Sequence, residues 1–267
     1  MKLTLLTIFA LLSSLPACTE DGADAATARP HGRIVDSSGG TVALGIKKLA
    51  YRPSAAGAGA VAGVVRLQGE AGDSIVPVTK DARFCGDSAN VHEVLAENGN
   101  LANALVWVDG ITGGKPLPEM RRETLTIDKC RFEPRVTAVV TGSTINVFSR
   151  DRVAHGPKFY REGATEPVAE IHTVDAGQVV PSEKIAAAPG IVEVRCAEHP
   201  FARAYIAVFD HPYYAITEGD GTFKIDGLPP GTYTVKVWHE RLAKPIEQSV
   251  VVSAGGVGKL DVQVALK

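Results

Sequence analysis

The loop between two strand-like runs, IVEVRC and RAYIAVF, contains a cysteine and a histidine three residues apart, Cys196 and His199. A thiolate and an imidazole on one short loop can converge on one ion, and these ligand types favour copper or zinc over calcium or magnesium. A second histidine, His155, follows the strand-like run STINVFS and can reach the same ion from a neighbouring strand. Cys196 and His199 therefore look like half of a metal site, and His155 is a candidate for a further ligand.

The amino terminus has the pattern of a secretory signal. Lys2 precedes an apolar run from Leu3 to Leu15, which is too short to span a bilayer. The ending Leu15-Pro16-Ala17-Cys18 resembles the lipobox of bacterial lipoproteins. This resemblance implies removal of residues 1–17, lipidation of Cys18 and, because Thr19 follows the cysteine, a periplasmic location on the outer membrane. A soluble secreted protein with a chance cysteine is the alternative.

The number of cysteines carries information because disulfides form in an oxidising compartment. Of the four cysteines, Cys18 is assigned to the lipid, which leaves Cys85, Cys130 and Cys196 and therefore one unpaired thiol. A free exposed thiol is a liability outside the cytoplasm, so we expect the unpaired cysteine to be a metal ligand or deeply buried. We assign the disulfide to Cys85 and Cys130, since Cys196 has the better ligand context.

The composition indicates an all-β protein. Charged residues make up 22% of the chain and the net charge is -2, which suggests neither a nucleic acid nor an acidic membrane as a partner. Valine-rich alternating runs are separated by Asp-Gly, Gly-Ser, Pro-Gly and Gly-Gly turns, as in a β-sandwich. The best helical candidate, VHEVLAENGNLANAL, is interrupted by Asn-Gly-Asn, which favours a turn. Residues 18–60 are rich in Ala, Gly and Pro and are predicted to form a flexible tether.

The carboxyl-terminal part resembles a known sandwich family. TEGDGTFKIDGLPPGTYTVKVWHE has the Asp-Gly-x-Phe strand and the Leu-Pro-Pro-Gly-x-Tyr turn that are typical of carboxypeptidase regulatory-like, transthyretin-type domains. The strands that open such a domain occur far upstream, as AGVVRLQG and NALVWVDG. This resemblance implies one sandwich in two halves, residues 61–119 and 212–267, with residues 120–211 inserted in an exposed loop.

The inserted segment resembles a cupredoxin. RFEPRVTAVVTGSTINVFSRDRVAH has the strands and histidine-bearing loop that begin the metal half of that Greek-key fold, and Cys196-Ala-Glu-His199-Pro-Phe-Ala202 resembles the Cys-x-x-His-Pro-x-Met loop of amicyanin-like proteins. The resemblance implies one type 1 copper ion held by His155, Cys196 and His199. The methionine position is occupied by Ala202, and Met120 lies outside the motif.

Taken together, these patterns predict a lipid-anchored periplasmic copper protein that transfers single electrons between partner proteins. We expect no enzymatic activity, because the sequence has no nucleophile elbow, phosphate loop, His-Glu-x-x-His run or haem attachment motif. A metal-free envelope binding or scaffold lipoprotein with a degenerate cupredoxin fold is the alternative, and copper storage or delivery is a third possibility. We assign surface roles to His172 and His211, and packing between the two sandwiches to Trp238.

Overall fold

The computed structural model describes residues 46, 48, 50–70, 72–172 and 174–266. Within these ranges the protein is all-β, apart from one short helix, α1 (Ala82–Cys85). In the same ranges, no helix is long and apolar enough to cross a membrane. In chain order, the strands are β1 (Arg52–Pro53), β2 (Gly59–Leu67), β3 (Ile75–Pro77), β4 (Ser88–Asn90), β5 (Ala96–Glu97), β6 (Asn100–Leu101), β7 (Leu105–Asp109), β8 (Gly113–Gly114), β9 (Arg122–Asp128), β10 (Arg131–Glu133), β11 (Val136–Val140), β12 (Thr144–Ser149), β13 (Pro157–Arg161), β14 (Ala169–Glu170), β15 (Val179–Ser182), β16 (Gly190–Cys196), β17 (Arg203–Phe209), β18 (Tyr214–Ile216), β19 (Thr222–Leu228), β20 (Gly231–Trp238), β21 (Ile246–Val252), β22 (Val257–Lys259) and β23 (Val262–Val264).

The signal peptide predicted over residues 1–17 and the lipidation predicted at Cys18 lie outside the described residues, so both stay predictions. The last residues of the predicted tether, from residue 51 onwards, lie within the described part of the chain and contact the folded body. Tyr51 donates a hydrogen bond from its hydroxyl to the carbonyl oxygen of Lys115 (2.6 Å), and β1 pairs in parallel with β8. Residues 51–53 therefore belong to the folded body, so the predicted boundary at residue 60 is too late.

The first sandwich is built from residues 122–209. A four-stranded sheet with the order β10-β9-β12-β15 packs on a five-stranded sheet with the order β11-β17-β16-β13-β14. Alternate residues of β12, such as Ile145 and Val147, are buried, and they share one apolar core with Val194 and Ile206 of the other sheet. This period-two pattern is what a strand with one face on a core requires. We call this body the metal-site sandwich.

The second sandwich combines strands from both sides of the first one in the sequence. Its two sheets have the orders β18-β7-β20-β21 and β19-β2-β6-β5, and β22 and β23 also pair with β2. Ala62 in β2 lies opposite Lys224 on one side and Lys259 on the other. Strand β7 pairs with β20 in the same way. These pairings support the predicted insertion of one sandwich into a loop of the other. We call this second body the split sandwich.

Residues 75–91, which we call the cap segment, depart from the predicted division. They lie within the range 61–119 that was assigned to the split sandwich, but they pack on the metal-site sandwich. Val78 and Ala89 belong to its apolar core, and Cys85 of the cap segment forms a disulfide with Cys130. The range 61–119 was therefore too broad, because these apolar side chains and the covalent link bind residues 75–91 to the other body.

The two sandwiches share a third apolar cluster. It contains Trp107 and Trp238 from the split sandwich and Tyr205 and Phe209 from β17. The rings of Tyr205 and Trp238 lie 5.3 Å apart with their planes at 68°, an edge-to-face contact. The predicted role of Trp238 in packing between the sandwiches is confirmed.

The Asn-Gly turn predicted near residue 98 is also confirmed. Strands β5 and β6 form a short hairpin around Asn98 and Gly99, whose φ angles are 51° and 77°. Two successive residues with positive φ make the turn type that Asn-Gly favours in tight hairpins.

We predict that Gly63→Ala destabilises the protein. A Cβ atom at Gly63 would lie 1.8 Å from the carbonyl oxygen of Leu260, a backbone atom that cannot move without shifting the strand that pairs with β2. We expect the free energy of unfolding to fall by about 1–3 kcal/mol or more, as for other overpacked sites. Urea denaturation measures this loss. Gly219→Ala is the control, because a Cβ there meets no atom within 4 Å. Equal losses in the two variants would contradict the close approach.

Candidate metal centre

The pairing of β13 with β16 positions the first histidine and the cysteine. Pro157 lies opposite Cys196, so His155, two residues earlier, lies at the same end of the five-stranded sheet. The turn between β16 and β17 positions His199. In that turn the N–H of Ala202 donates to the carbonyl oxygen of His199 (2.9 Å), and the N–H of Cys196 donates to the carbonyl oxygen of Ala202 (3.3 Å). The loop is thus closed by its own backbone.

The three residues predicted as ligands are brought together in the interior. The Sγ atom of Cys196 lies 3.8 Å from Nδ1 of His155 and 3.8 Å from Nδ1 of His199, and all three residues are buried. For metal bonds of about 2.0 Å to nitrogen and 2.3 Å to sulfur, a trigonal plane separates sulfur from nitrogen by about 3.7 Å. The donor types and their spacing therefore fit a three-coordinate copper or zinc ion.

A carboxylate lies behind each imidazole ring, and neither was predicted from the sequence as part of the site. The Nε2 atom of His155 is 2.9 Å from Oδ2 of Asp151, and Nε2 of His199 is 3.2 Å from Oδ2 of Asp81. A carboxylate can only accept a hydrogen bond, so each ring carries its proton on Nε2 and turns the Nδ1 lone pair towards Cys196. Both histidines are therefore in the tautomer that metal binding requires.

Burial sets the ionisation of the site. It raises the pKa of the Cys196 thiol, against the opposing effect of nearby backbone N–H groups. Burial also lowers the pKa of His155, and the neighbouring His199 lowers it further. A neutral imidazole is ready to bind a cation, whereas the thiol must lose its proton first, so metal binding at this site releases a proton.

The position where the resembled loop has a methionine offers no ligand. Ala202 is buried, with 4% of its surface exposed, and its methyl group cannot coordinate a metal. Met120 is 82% exposed and precedes β9, outside the loop. The side chains that the structure brings together here thus supply one sulfur and two nitrogen donors.

The predicted disulfide between Cys85 and Cys130 is confirmed, and Cys196 is free and buried as expected. The disulfide lies beside the metal site. Ligand atoms of Cys85, Cys130 and His199 are all within 4.8 Å of one another, and so are those of Cys130, Asp151 and His155. At least one sulfur atom of the disulfide therefore lies within 4.8 Å of a ring nitrogen of each histidine. The positions of the two cysteines in the sequence did not indicate this proximity.

Two other histidines have different environments. His172 is 88% exposed on its side chain, in agreement with its predicted surface role. The surface role predicted for His211 is wrong, because this residue is only 3% exposed. Its ring lies 5.3 Å from that of Phe209, and its Nδ1 accepts a hydrogen bond from the N–H of Tyr213 (3.2 Å). Burial lowers the pKa of His211 to about 4.

Comparison with family models finds one match. Residues 190–266 match the model of the carboxypeptidase regulatory-like domain. The match begins with β16, so it includes two strands, β16 and β17, that hydrogen-bond within the metal-site sandwich. We place the boundary between the sandwiches by strand pairing, since hydrogen bonds define a sheet directly. No curated protein matches the sequence.

Several solved structures are similar to part of the chain. One is a mutant of amicyanin in the Cu(I) state, with 23% identity, covering 32% of this chain and 79% of that one at a TM-score of 0.28. A purple cupredoxin from Nitrosopumilus maritimus has 14% identity, covering 32% of this chain and 97% of that one at a TM-score of 0.28. A copper-containing nitrite reductase from Thermus scotoductus has 20% identity, covering 39% of this chain and 24% of that one at a TM-score of 0.30. The two resemblances noted in the sequence, to cupredoxins and to regulatory-like domains, both recur in these comparisons.

We predict that acid destabilises the protein partly through His211. Its pKa is about 4 when folded and near the ordinary 6.5 when unfolded, so below pH 6.5 the unfolded chain binds more protons. This residue's contribution to the free energy of unfolding is therefore constant above pH 6.5 and falls by about 3 kcal/mol by pH 4. His211→Asn retains a hydrogen-bond acceptor and should flatten the dependence. Urea denaturation from pH 7.5 to 4.5 tests this, with His172→Asn as the exposed control. An unchanged slope in His211→Asn would contradict it.

Proposed function

We propose that this protein is a lipid-anchored periplasmic type 1 copper protein that transfers single electrons between partner proteins and catalyses no reaction of its own. The observation that carries the proposal is the buried triangle of one sulfur and two Nδ1 atoms, with both sulfur-to-nitrogen distances at 3.8 Å. Its donor set is the one that holds copper in electron-transfer sites. The ligands named in the proposal are His155, Cys196 and His199.

The role of the protein is to hold these ligands in one geometry. Bound copper supplies a one-electron couple, and transfer is fast when the ligands move little between its two oxidation states. Here the hydrogen bonds of the 196–202 turn fix Cys196 and His199, and the pairing of β13 with β16 fixes the position of His155. The surrounding apolar core is close-packed, which resists rearrangement of the site.

In this proposal, the lipid on Cys18 holds the protein at the outer membrane, and the split sandwich is a rigid platform or docking module. Two contacts between the sandwiches favour rigidity. Besides the shared apolar cluster, the guanidinium of Arg135 contacts both carboxylate oxygens of Glu240, at 2.6 and 2.9 Å. Such a bidentate pair restrains orientation as well as distance. The electron donor and acceptor are proposed to be proteins.

We predict that the chain without residues 1–18 binds one copper ion and absorbs intensely in the visible range. A Cu(II)–thiolate bond gives such a band, and Cys196→Ala removes the sulfur, so this variant should lose the band. Copper content and the visible spectrum after reconstitution with Cu(II) measure both outcomes. Rapid loss of copper to a strong chelator would favour storage or delivery. No band and no stoichiometric copper in the unaltered chain would overturn the proposal and favour the metal-free scaffold.

We also predict that Ala202→Met lowers the reduction potential. Without a thioether the unaltered site has a weaker axial donor, which stabilises Cu(I) relative to Cu(II) and raises the potential. A methionine at this position restores a sulfur donor and favours Cu(II). Redox titration of the unaltered protein and the variant measures the difference, with Ala202→Leu as a control for side-chain volume. A potential in Ala202→Met that equals or exceeds the unaltered one would contradict the prediction.

A further inference from the structure

The carboxylates behind the two imidazoles belong to elements far apart in sequence. Asp151 lies four residues before His155, in the loop after β12, whereas Asp81 belongs to the cap segment and is 118 residues from His199. No ligand-spacing pattern connects Asp81 to the site. Its position is therefore a property of the folded chain, and the question is what holds it there.

The backbone around Asp81 aims its side chain at His199. Asp81 has φ 56° and ψ 27°, a left-handed conformation, and its carbonyl oxygen accepts hydrogen bonds from the N–H groups of Phe84 and Cys85 at 2.8 and 2.9 Å. The carboxylate makes none of the hydrogen bonds that begin helix α1, so it is available to the ring. Next to it, Lys80 forms an ion pair with Glu198, the residue before His199. The cap segment thus contacts the 196–202 turn through Lys80 as well as through the carboxylate of Asp81.

Asp151 is fixed even more firmly. Its two carboxylate oxygens accept hydrogen bonds from the N–H groups of Lys129 and Cys130, both at 2.7 Å, while Oδ2 also contacts the ring of His155. Cys130 is the disulfide partner of Cys85, which lies four residues after Asp81. One covalent bond therefore joins the cap segment, which carries Asp81, to the turn whose backbone N–H groups hold Asp151.

We propose that Asp81 and Asp151 are positioning residues for the metal, joined through the Cys85–Cys130 disulfide. This inference rests on the proposed copper function. Each carboxylate accepts a hydrogen bond from the Nε2–H group of one imidazole, fixes the ring with Nδ1 towards Cys196 and makes that nitrogen a stronger donor. A stronger donor favours Cu(II) over Cu(I), so the two carboxylates offset part of the effect of Ala202 on the potential.

The first test uses Asp81, because its side chain is partly exposed and its removal leaves the core intact. In Asp81→Ala, we expect the affinity for Cu(II) to fall about 10–100-fold, as for other partners of metal-bound histidines, and the affinity for Cu(I) to fall less. Each tenfold difference between the two losses raises the potential by about 59 mV. Asp81→Asn keeps an acceptor but loses the charge, so its effects should be smaller and in the same direction.

The matched control is Asp87→Asn, which removes a carboxylate from an exposed position of the same segment. We expect its potential and its affinity for Cu(II) to equal those of the unaltered protein. Chelator competition measures both affinities, redox titration measures the potential, and thermal unfolding of the metal-free proteins reports any loss of fold.

A second arm tests the link through the disulfide. In Cys85→Ser/Cys130→Ser, we expect a loss of Cu(II) affinity comparable to that of Asp81→Ala. Adding Asp81→Ala to this double variant should cost little more, because residues that act as one unit are not additive. Asp151→Asn should also raise the potential. The carboxylate of Asp151 also holds two backbone N–H groups, so Asp151→Asn can fail to fold. In that case the Asp81 variants alone decide the test.

The outcomes separate this inference from the proposed function. If the unaltered protein shows the thiolate band and Asp81→Ala has the same potential and affinities, the positioning role is wrong and the copper function stands. Equal shifts in Asp81→Asn and Asp87→Asn would also overturn it, since they would indicate a general effect of charge. If the unaltered protein binds no copper, both the function and the inference fall.

Discussion

The burial of three polar groups in an apolar core is the constraint on which the architecture depends. A buried polar atom without a hydrogen-bond partner costs free energy, so Cys196, His155 and His199 each require partners that the core strands do not supply. The turn from 196 to 202 closes on itself, Asp151 contacts one ring, and Asp81 contacts the other. Supplying the last partner requires the cap segment. The cap segment in turn is fixed to this sandwich by the disulfide between Cys85 and Cys130.

The same requirement explains why one segment of the chain crosses from one body to the other. Strand β2 pairs within the split sandwich, and residues 75–91 then pack on the metal-site sandwich. The chain returns to the split sandwich at β7. The cluster around Trp107 and Trp238 and the bidentate pair of Arg135 with Glu240 join the two sandwiches directly. The two bodies are thus joined by direct packing and an ion pair as well as by the chain.

The features that could be predicted from the sequence are those that depend on patterns among residues close together in the chain. The strands follow from alternation, the turn at Asn98 from Asn-Gly, and the proximity of Cys196 and His199 from a loop spacing that the chain encodes within a few residues. The pairing of Cys85 with Cys130 followed from the odd number of remaining cysteines together with the better ligand context of Cys196. Asp81 could not be found, because no local signal relates it to a ring 118 residues away. His211 looked like a surface residue because a polar side chain at a strand end is usually exposed. Besides its neighbours Phe209 and Tyr213, the ring of Tyr51, which is distant in sequence, lies 6.4 Å from its ring.

The split arrangement also affects the order in which contacts can form. Pairing β2 with β19 in an unfolded chain requires closing a loop of roughly 150 residues, and the entropic cost of closure grows with loop length. The strands of residues 122–209 pair with one another in two sheets of their own. When these strands are folded, most of the chain between β2 and β19 is a rigid body with fixed ends instead of a flexible loop. A folded inserted sandwich thus shortens the loop whose closure brings the two halves of its host together.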